Sequence, residues 1–448
     1  MSLSEKLRGY KEKAFKALEK AGAEIGDLIR VSKGEHEYEG TLIPRSELGD
    51  DEHIVIKLQT GYNVGILVTP ETKVERTGEG TKPRFSAPPL PEQKPSLPRV
   101  GILCTGGTIA SRVDYRTGGV RPALTASDLY SVVPELSTVA MIDAEVISSV
   151  LSENMTPENW SQIARRVAKH VRSGVAGVVV AHGTDTMGYT AAALSFALQE
   201  LPVPVILVGS QRSADRPSSD AASNLIGAVK AAAEAPFAEV VVAMHETTSD
   251  KTIVFHRGAK VRKCHTSRRD AFQSVNSRPL AKLESGKISV QTSGHRERDM
   301  TRKIVLKPKF EEKVALLKFH PGLDPRVIEW YVRNGFRGIV LEGTGLGHVS
   351  SQCFSAILSA VKEGAIVGMA SQCLWGRVNM NVYDTGRDLL AAGVVPLGDM
   401  LPETALVKMM WVLGQTDGVG EARKLLAENI ARELSERSVF EGNTEGWK

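Results

Sequence analysis

The sequence predicts an α/β protein: a larger doubly wound parallel sheet and a smaller α/β domain, preceded by a small β-rich, barrel-like module. Three observations carry this prediction. From residue 99 onward, short apolar runs alternate with segments of helical periodicity, the pattern of a mostly parallel sheet with helices on both faces. Ahead of them, residues 28–68 hold several strand-like runs separated by polar turns with no helix between. Between the two, Pro83, Pro88, Pro89, Pro91, Pro95 and Pro98 interrupt any helix, so residues 77–98 read as an extended, semi-rigid tether.

Taken in order, residues 4–18 predict a helix capped by Ser4, with Leu7, Tyr10, Ala14 and Leu18 on one face. Strand-like runs follow at 28–31, 38–43, 53–58 and 62–68, the last two joined by the hairpin signal Gln59-Thr60-Gly61. This module carries no obvious catalytic constellation and reads as an accessory packing unit. Beyond the tether, strands are expected at 99–103, 144–147, 177–180, 204–208 and 239–243, with helices at 157–170, 189–199 and 221–233. After a polar, charge-rich stretch at 285–313, strands are expected at 314–319, 338–341 and 366–370 and helices at 324–333 and 351–362. Helices at 402–413 and 420–436 close the chain. The expected divisions are 1–76 for the leading module, 77–98 for the tether, 99–295 for the larger domain and 312–448 for the smaller.

At 448 residues the chain exceeds one ordinary core. A formal charge of +4 neither demands nor excludes nucleic acid. Its four cysteines are widely spaced with no Cys-x-x-Cys pair, which argues against a disulfide framework or a structural zinc site and for reduced thiols. Glu5, Lys6, Arg8, Lys11, Glu12 and Lys13 do not fit a signal peptide, and the longest apolar runs stop well short of a membrane span. A cytoplasmic location is therefore expected. Arg257, Lys260, Arg262, Lys263, Arg268 and Arg269 fall in a stretch without one acid. They fit either a solvated face or a patch for an anionic partner such as RNA, although little aromatic interleaving argues against base stacking. Gly343-Thr344-Gly345-Leu346-Gly347 lacks the ending of a dinucleotide fingerprint, and no phosphate-binding Gly-x-x-x-x-Gly-Lys loop occurs. No nucleotide, metal or other cofactor is expected in this chain.

The chemistry concentrates in Cys104-Thr105-Gly106-Gly107-Thr108-Ile109-Ala110 and Ala181-His182-Gly183-Thr184-Asp185-Thr186-Met187. Each follows a predicted strand and so lies at the carboxyl edge of the sheet, where α/β proteins bind ligands. Glycines there let the backbone turn and approach a ligand, and a hydroxyl there can attack a carbonyl once a base takes its proton. Thr184 adds a second hydroxyl, Asp185 offers a carboxylate for an α-ammonium group, and nearby backbone amides could stabilise an oxyanion. His182 fits either a base or a structural histidine.

These two segments resemble the signature motifs of the bacterial-type asparaginase/glutaminase family. The likeness continues through Ser152-Glu153-Asn154-Met155-Thr156-Pro157, Phe272-Gln273-Ser274-Val275-Asn276 and Gln372-Cys373-Leu374-Trp375-Gly376-Arg377-Val378-Asn379, covering about residues 99–435. It implies an asparaginase-like two-domain fold, with Thr108 as acyl nucleophile and Thr184 with Asp185 as the second threonine and its acid. It also implies Lys263 as the catalytic lysine, since a partly desolvated amine loses its proton more easily and can activate a hydroxyl. Ser152, Glu153 and Asp185 would bind the amino-acid end of the substrate. Tyr115 is the candidate flap tyrosine, although Asp114-Tyr115-Arg116-Thr117-Gly118-Gly119 aligns in more than one way. Family members place the site between two protomers, which implies a homodimer with Thr344-Gly345-Leu346-Gly347 near the interface.

A free-standing asparaginase needs only the region from about residue 99. The leading module and tether resemble, instead, the asparaginase-like subunit family of archaeal Glu-tRNA(Gln) amidotransferases. That resemblance implies ammonia release from glutamine or asparagine for a partner, the E-type subunit of the amidotransferase, which binds Glu-tRNA(Gln) and carries ATP and magnesium. A heterotetramer with two copies of each component is the implied assembly. The alternatives are a stand-alone asparaginase or glutaminase with an added module, and a catalytically dead scaffold or tRNA-binding module.

Overall fold

The computed structural model describes residues 7, 9–45, 50–59, 63–79, 95–106, 129, 133–212 and 218–438, with the backbone of two short strands at Ser111–Asp114 and Gly119–Pro122. Most of the tether, and the expected Ser4 cap, lie outside them.

The leading module is an antiparallel five-stranded sheet in the order Asn63–Leu67, His53–Lys57, His36–Leu42, Leu28–Lys33, Lys73–Gly78. The last strand returns to pair with the first, so the sheet rolls around one small core. Lys73–Gly78 is not expected from the sequence: apart from Val74 its residues are polar or glycine, and it overlaps the start of the predicted tether. The first helix runs Glu12–Lys20, later than predicted. Gly9 lies at φ +87, and a Cβ there would fall 1.8 Å from the Arg45 carbonyl oxygen, so the backbone must turn before the helix starts. Leu7, Tyr10, Ala14 and Leu18 nevertheless all enter the core, with Ile29, Ile54 and Ile56. Tyr10 reaches it as a non-helical anchor, donating from its hydroxyl to the Ile43 carbonyl at 2.8 Å.

In the larger domain one sheet orders its strands as Lys287–Val290, Ala281–Glu284, Thr252–Arg257, Val240–His245, Val205–Val208, Gly177–Ala181, Arg99–Cys104, Met141–Val146. The last five are mutually parallel. Strand residues alternate between two cores: Val100, Ile102, Val179 and Val208 pack with helix Ala221–Glu234 on one face, while Leu103, Val178, Val180 and Leu207 pack with helices Pro157–Arg172 and Met187–Ala197 on the other. The sheet is therefore doubly wound. Its far edge is antiparallel, which the sequence does not announce. Lys282, Glu284 and Lys287 alternate with Leu283 and Ile288 there, so an edge hairpin turning through Ser285 and Gly286, both at positive φ, reads as a polar stretch.

The smaller domain is a parallel sheet of Val314–Lys318, Gly338–Gly343, Ile366–Ser371 and Val395–Pro396. Helices Arg326–Arg333 and Phe354–Lys362 cover one face and helix Pro402–Gln415 the other. That last helix also packs on helix Met187–Ala197 of the larger domain, with the rings of Phe196 and Trp411 stacked 5.9 Å apart. Helix Met187–Ala197 is apolar on all sides because it is buried against both domains. The closing helix spans Val419–Ala427 rather than 420–436. Beyond it Glu433 turns back to accept from the Ile430 and Ala431 amides, a local bonding pattern that competes with helix continuation.

No described helix is long and apolar enough to cross a membrane.

Candidate active site

The chain enters the larger sheet at Arg99–Cys104, moves to Met141–Val146 on one side, then crosses to Gly177–Ala181 on the other. The carboxyl ends of Arg99–Cys104 and Gly177–Ala181 thus flank a reversal of strand order, where an open α/β sheet forms a crevice. Both chemistry-bearing segments begin there. Thr105 ties them together: its amide and its hydroxyl both donate to the Ala181 carbonyl, at 3.1 and 3.0 Å. Gly106 follows at φ +118, and a Cβ would lie 2.3 Å from the Val150 carbonyl oxygen, so only glycine fits this turn. Thr108 lies outside the described residues, as does Tyr115, which falls in the connection between the paired strands Ser111–Asp114 and Gly119–Pro122.

Thr184, Asp185 and Lys263 converge. Lys263 Nζ donates to Thr184 Oγ1 at 2.9 Å and to Asp185 Oδ1 at 2.8 Å. The lysine side chain is 14% exposed and the Asp185 carboxylate 69%, so the acid keeps an open face toward an incoming ligand. Lys263 ends the short strand Val261–Lys263, paired with Phe272–Ser274 so that Lys263 stands opposite Phe272. Val261, Ala271 and Phe272 are buried in the core and seat that ribbon. Thr184 and Asp185 immediately precede helix Met187–Ala197, whose amino-terminal dipole favours negative charge beside them.

Ser152 is buried in a single 3-10 turn, Ser152–Asn154, while Glu153 is exposed. The Thr186 hydroxyl donates to the Ser152 carbonyl at 2.6 Å. A Cβ at Gly183 would fall 2.9 Å from Ser152 Oγ, so the Ser152 turn lies directly against the second motif.

His182 is structural. Its Nδ1 donates to the Gly183 carbonyl at 2.7 Å, and its Nε2 accepts from the Thr190 hydroxyl at 2.9 Å. Trp160 Nε1 donates to that same hydroxyl at 3.1 Å. Complete burial pushes the imidazole down to about 4, which suits a neutral ring with both nitrogens engaged. The basic stretch divides likewise. Lys260 pairs with Asp399, Arg257 with Glu239, Arg262 with Glu403, Arg268 with Asp270 and Arg269 with Asp250. It is mainly a set of ion pairs.

Several contributors escape sequence reasoning. Gly209 follows strand Val205–Val208, and a Cβ there would meet Thr184 Cγ2 at 2.7 Å and the His182 carbonyl oxygen at 2.9 Å. Its signal is a glycine directly after an apolar strand. Thr190 and Trp160 shape the second motif from positions that read as ordinary helix residues. A cavity of about 280 Å³ lined by Arg257, Arg296, Arg432 and Trp411 includes none of the candidate site residues.

With this geometry in hand, the likeness to known proteins is specific. Residues 99–296 match the family "Asparaginase, N-terminal", residues 313–426 the "Glutaminase/Asparaginase C-terminal domain", and residues 23–76 the "GatD N-terminal domain". Among solved structures, the thermostable L-asparaginase from Thermococcus kodakarensis superposes with a TM-score of 0.68 at 32% identity, covering 76% of this chain and 100% of that one. L-asparaginase I from Vibrio cholerae gives 0.66 at 29% identity, with 76% and 100% covered. Relatives match nearly end to end. The D-type subunit of glutamyl-tRNA(Gln) amidotransferase from Thermofilum pendens is 49% identical over 446 residues, 97% of this chain and 98% of the relative. Its counterpart from Metallosphaera sedula is 52% identical over 432 residues, with 96% and 97% covered. The chain belongs to the family of D-type subunits of glutamyl-tRNA(Gln) amidotransferase, an asparaginase fold carrying its own amino-terminal module.

Proposed function

We propose that this chain is the amide-hydrolysing subunit of a tRNA-dependent amidotransferase, releasing ammonia from glutamine or asparagine. A partner, the E-type subunit, uses that ammonia with ATP and magnesium to convert Glu-tRNA(Gln) to Gln-tRNA(Gln). The observation that carries the reading is the convergence of Lys263 on Thr184 and Asp185 at the strand-order reversal. The amino-terminal match favours the amidotransferase component over a stand-alone asparaginase, which lacks that module.

In the proposed reaction, Asp185 holds the substrate α-ammonium, assisted by Ser152 and Glu153. The Thr108 hydroxyl attacks the side-chain carbonyl carbon, and its proton passes through Thr184 and Lys263 to the departing nitrogen. The carbon–nitrogen bond breaks and ammonia leaves. Water then adds to the acyl-threonine ester, restoring the hydroxyl and freeing the acid. Tyr115 is the candidate flap tyrosine of this reading. No cofactor is assigned to this chain in this reading, and ATP and Mg²⁺ belong to the partner. The assembly is a homodimer through the asparaginase-like domains, with Thr344–Gly347 near the interface. Two copies of the E-type partner extend it to a heterotetramer in the cytoplasm.

The test is ammonia release from glutamine by the purified chain, alone and with Glu-tRNA(Gln) and the E-type partner. Stimulation by the partner and tRNA, lost in Thr108→Ala and Lys263→Ala, supports the reading. Hydrolysis indifferent to both additions restores the stand-alone enzyme.

A further inference from the structure

The segment that ends in Lys263 is gripped from the smaller domain at three places. The Thr404 hydroxyl donates to the Ala259 carbonyl at 3.2 Å, Lys260 pairs with Asp399 at 2.7 Å, and Arg262 pairs with Glu403 at 3.1 Å. The middle contact is unusual: Lys260 is 1% exposed and Asp399 4%, and the two lie 139 residues apart. Burying two charges costs several kcal/mol per ion before pairing, so a buried pair is a poor device for stability alone and a better one for fixing register. Asp399 is itself held. The Ser435 amide donates to Asp399 Oδ1 at 2.9 Å, and Ser435 Oγ stands 3.4 Å from Lys260 Nζ. Ser435 belongs to the irregular segment after the last helix, which is pinned in turn by the fully buried Lys408–Glu433 pair at 2.5 Å. The Val275 amide donates to the Lys260 carbonyl at 2.8 Å, tying the other arm of the ribbon to the same point.

We propose that Lys260, Asp399 and Ser435 form a buried clamp that positions Lys263, so that the smaller domain and its closing segment set where the reactive amine stands. Lys260 is three residues from Lys263, and the stretch between them is a short strand with little slack. Releasing its anchor moves the amine away from Thr184 and Asp185, and a displacement near 1 Å costs on the order of 100-fold in rate. These are positioning residues: none lies within hydrogen-bonding reach of Thr184 or Asp185. The inference rests on the role of Lys263 proposed above.

The experiment measures kcat, KM and the pH profile of glutamine hydrolysis by the full chain with its partner, alongside thermal denaturation. Asp399→Asn is expected to lower kcat about tenfold or more, with KM within twofold and an altered pH profile. Because that change strands a buried ammonium, the double variant Lys260→Met/Asp399→Leu, which removes both charges, is measured beside it. It is expected to keep a near-native Tm and still lose kcat. If neither variant folds, Ser435→Ala, which trims the clamp hydroxyl beside Lys260 without stranding a charge, serves, with a severalfold loss of kcat expected. Folded variants with native kcat and native pH profile overturn the clamp. Lys263→Met separates the two levels: an inactive Lys263→Met beside fully active clamp variants refutes the clamp alone, whereas an active Lys263→Met refutes the role of Lys263 and the clamp with it.

Discussion

Asn276 and Gly376 hold each other across the domain junction by a reciprocal pair of hydrogen bonds. Asn276 Nδ2 donates to the Gly376 carbonyl at 3.0 Å, and the Gly376 amide donates back to Asn276 Oδ1 at 2.9 Å. The same Nδ2 also donates to the Asp399 carbonyl at 3.0 Å. Asn276 sits at φ +56, a conformation asparagine tolerates better than most residues. Two motifs that look independent in the sequence are therefore halves of one joint.

Asn276→Ala removes all three side-chain bonds and leaves a β-carbon residue without asparagine's tolerance for this backbone. It is expected to destabilise the chain by about 2–3 kcal/mol. Chemical denaturation of the full chain measures the loss, and an unchanged midpoint would show that the joint carries no load.

Thr184→Val keeps the shape of the side chain and deletes the hydroxyl that accepts from Lys263. Glutamine hydrolysis is expected to fall by about 10²–10⁴-fold. Amidation of Glu-tRNA(Gln) from added ammonia, assayed with the E-type partner, is expected to continue at its normal rate.

Gly209→Ala places a methyl group where Thr184 Cγ2 and the His182 carbonyl now stand. The threonine must shift, so kcat is expected to drop about 10–100-fold while circular dichroism stays native. Native kinetics in this variant would mean that the position of Thr184 is not critical.

His182 and His256 are both buried, and burial pushes their imidazoles down to about 4 and about 3 from an ordinary 6.5. As pH falls below 6.5, the unfolded chain takes up protons at these sites while the native chain does not. Stability is therefore present above pH 6.5 and lost on acidification toward pH 4, with a slope of about 1.4 kcal/mol per pH unit for each histidine. His256→Phe is expected to flatten that slope in denaturation midpoints collected from pH 7 to 4.

The parts of the site that obey local rules are legible in the sequence. Thr184 and Asp185 stand out because an apolar strand ends just before them, and the order of strands and helices is readable from periodicity. Lys263 is placed by resemblance, since nothing local marks a lysine in a basic stretch as reactive. The antiparallel edge escapes notice because Lys282, Glu284 and Lys287 face outward between apolar residues, imitating a polar loop. The opening helix reads as starting too early because Leu7 and Tyr10 keep helical spacing although Gly9 forbids the helix. Asp399 gives no sign at all: its partner is 139 residues away, and only the packing of the two domains brings them together.

Helix Met187–Ala197 begins beside Asp185 and has one flank on the larger sheet and the other on helix Pro402–Gln415. Prising the two lobes apart would expose Phe196 and Trp411 to water and would drag the acid of the site along. The amidase body is thus built as one welded block, and a regulator acting on it has to work through loops and segment ends, leaving the lobes locked.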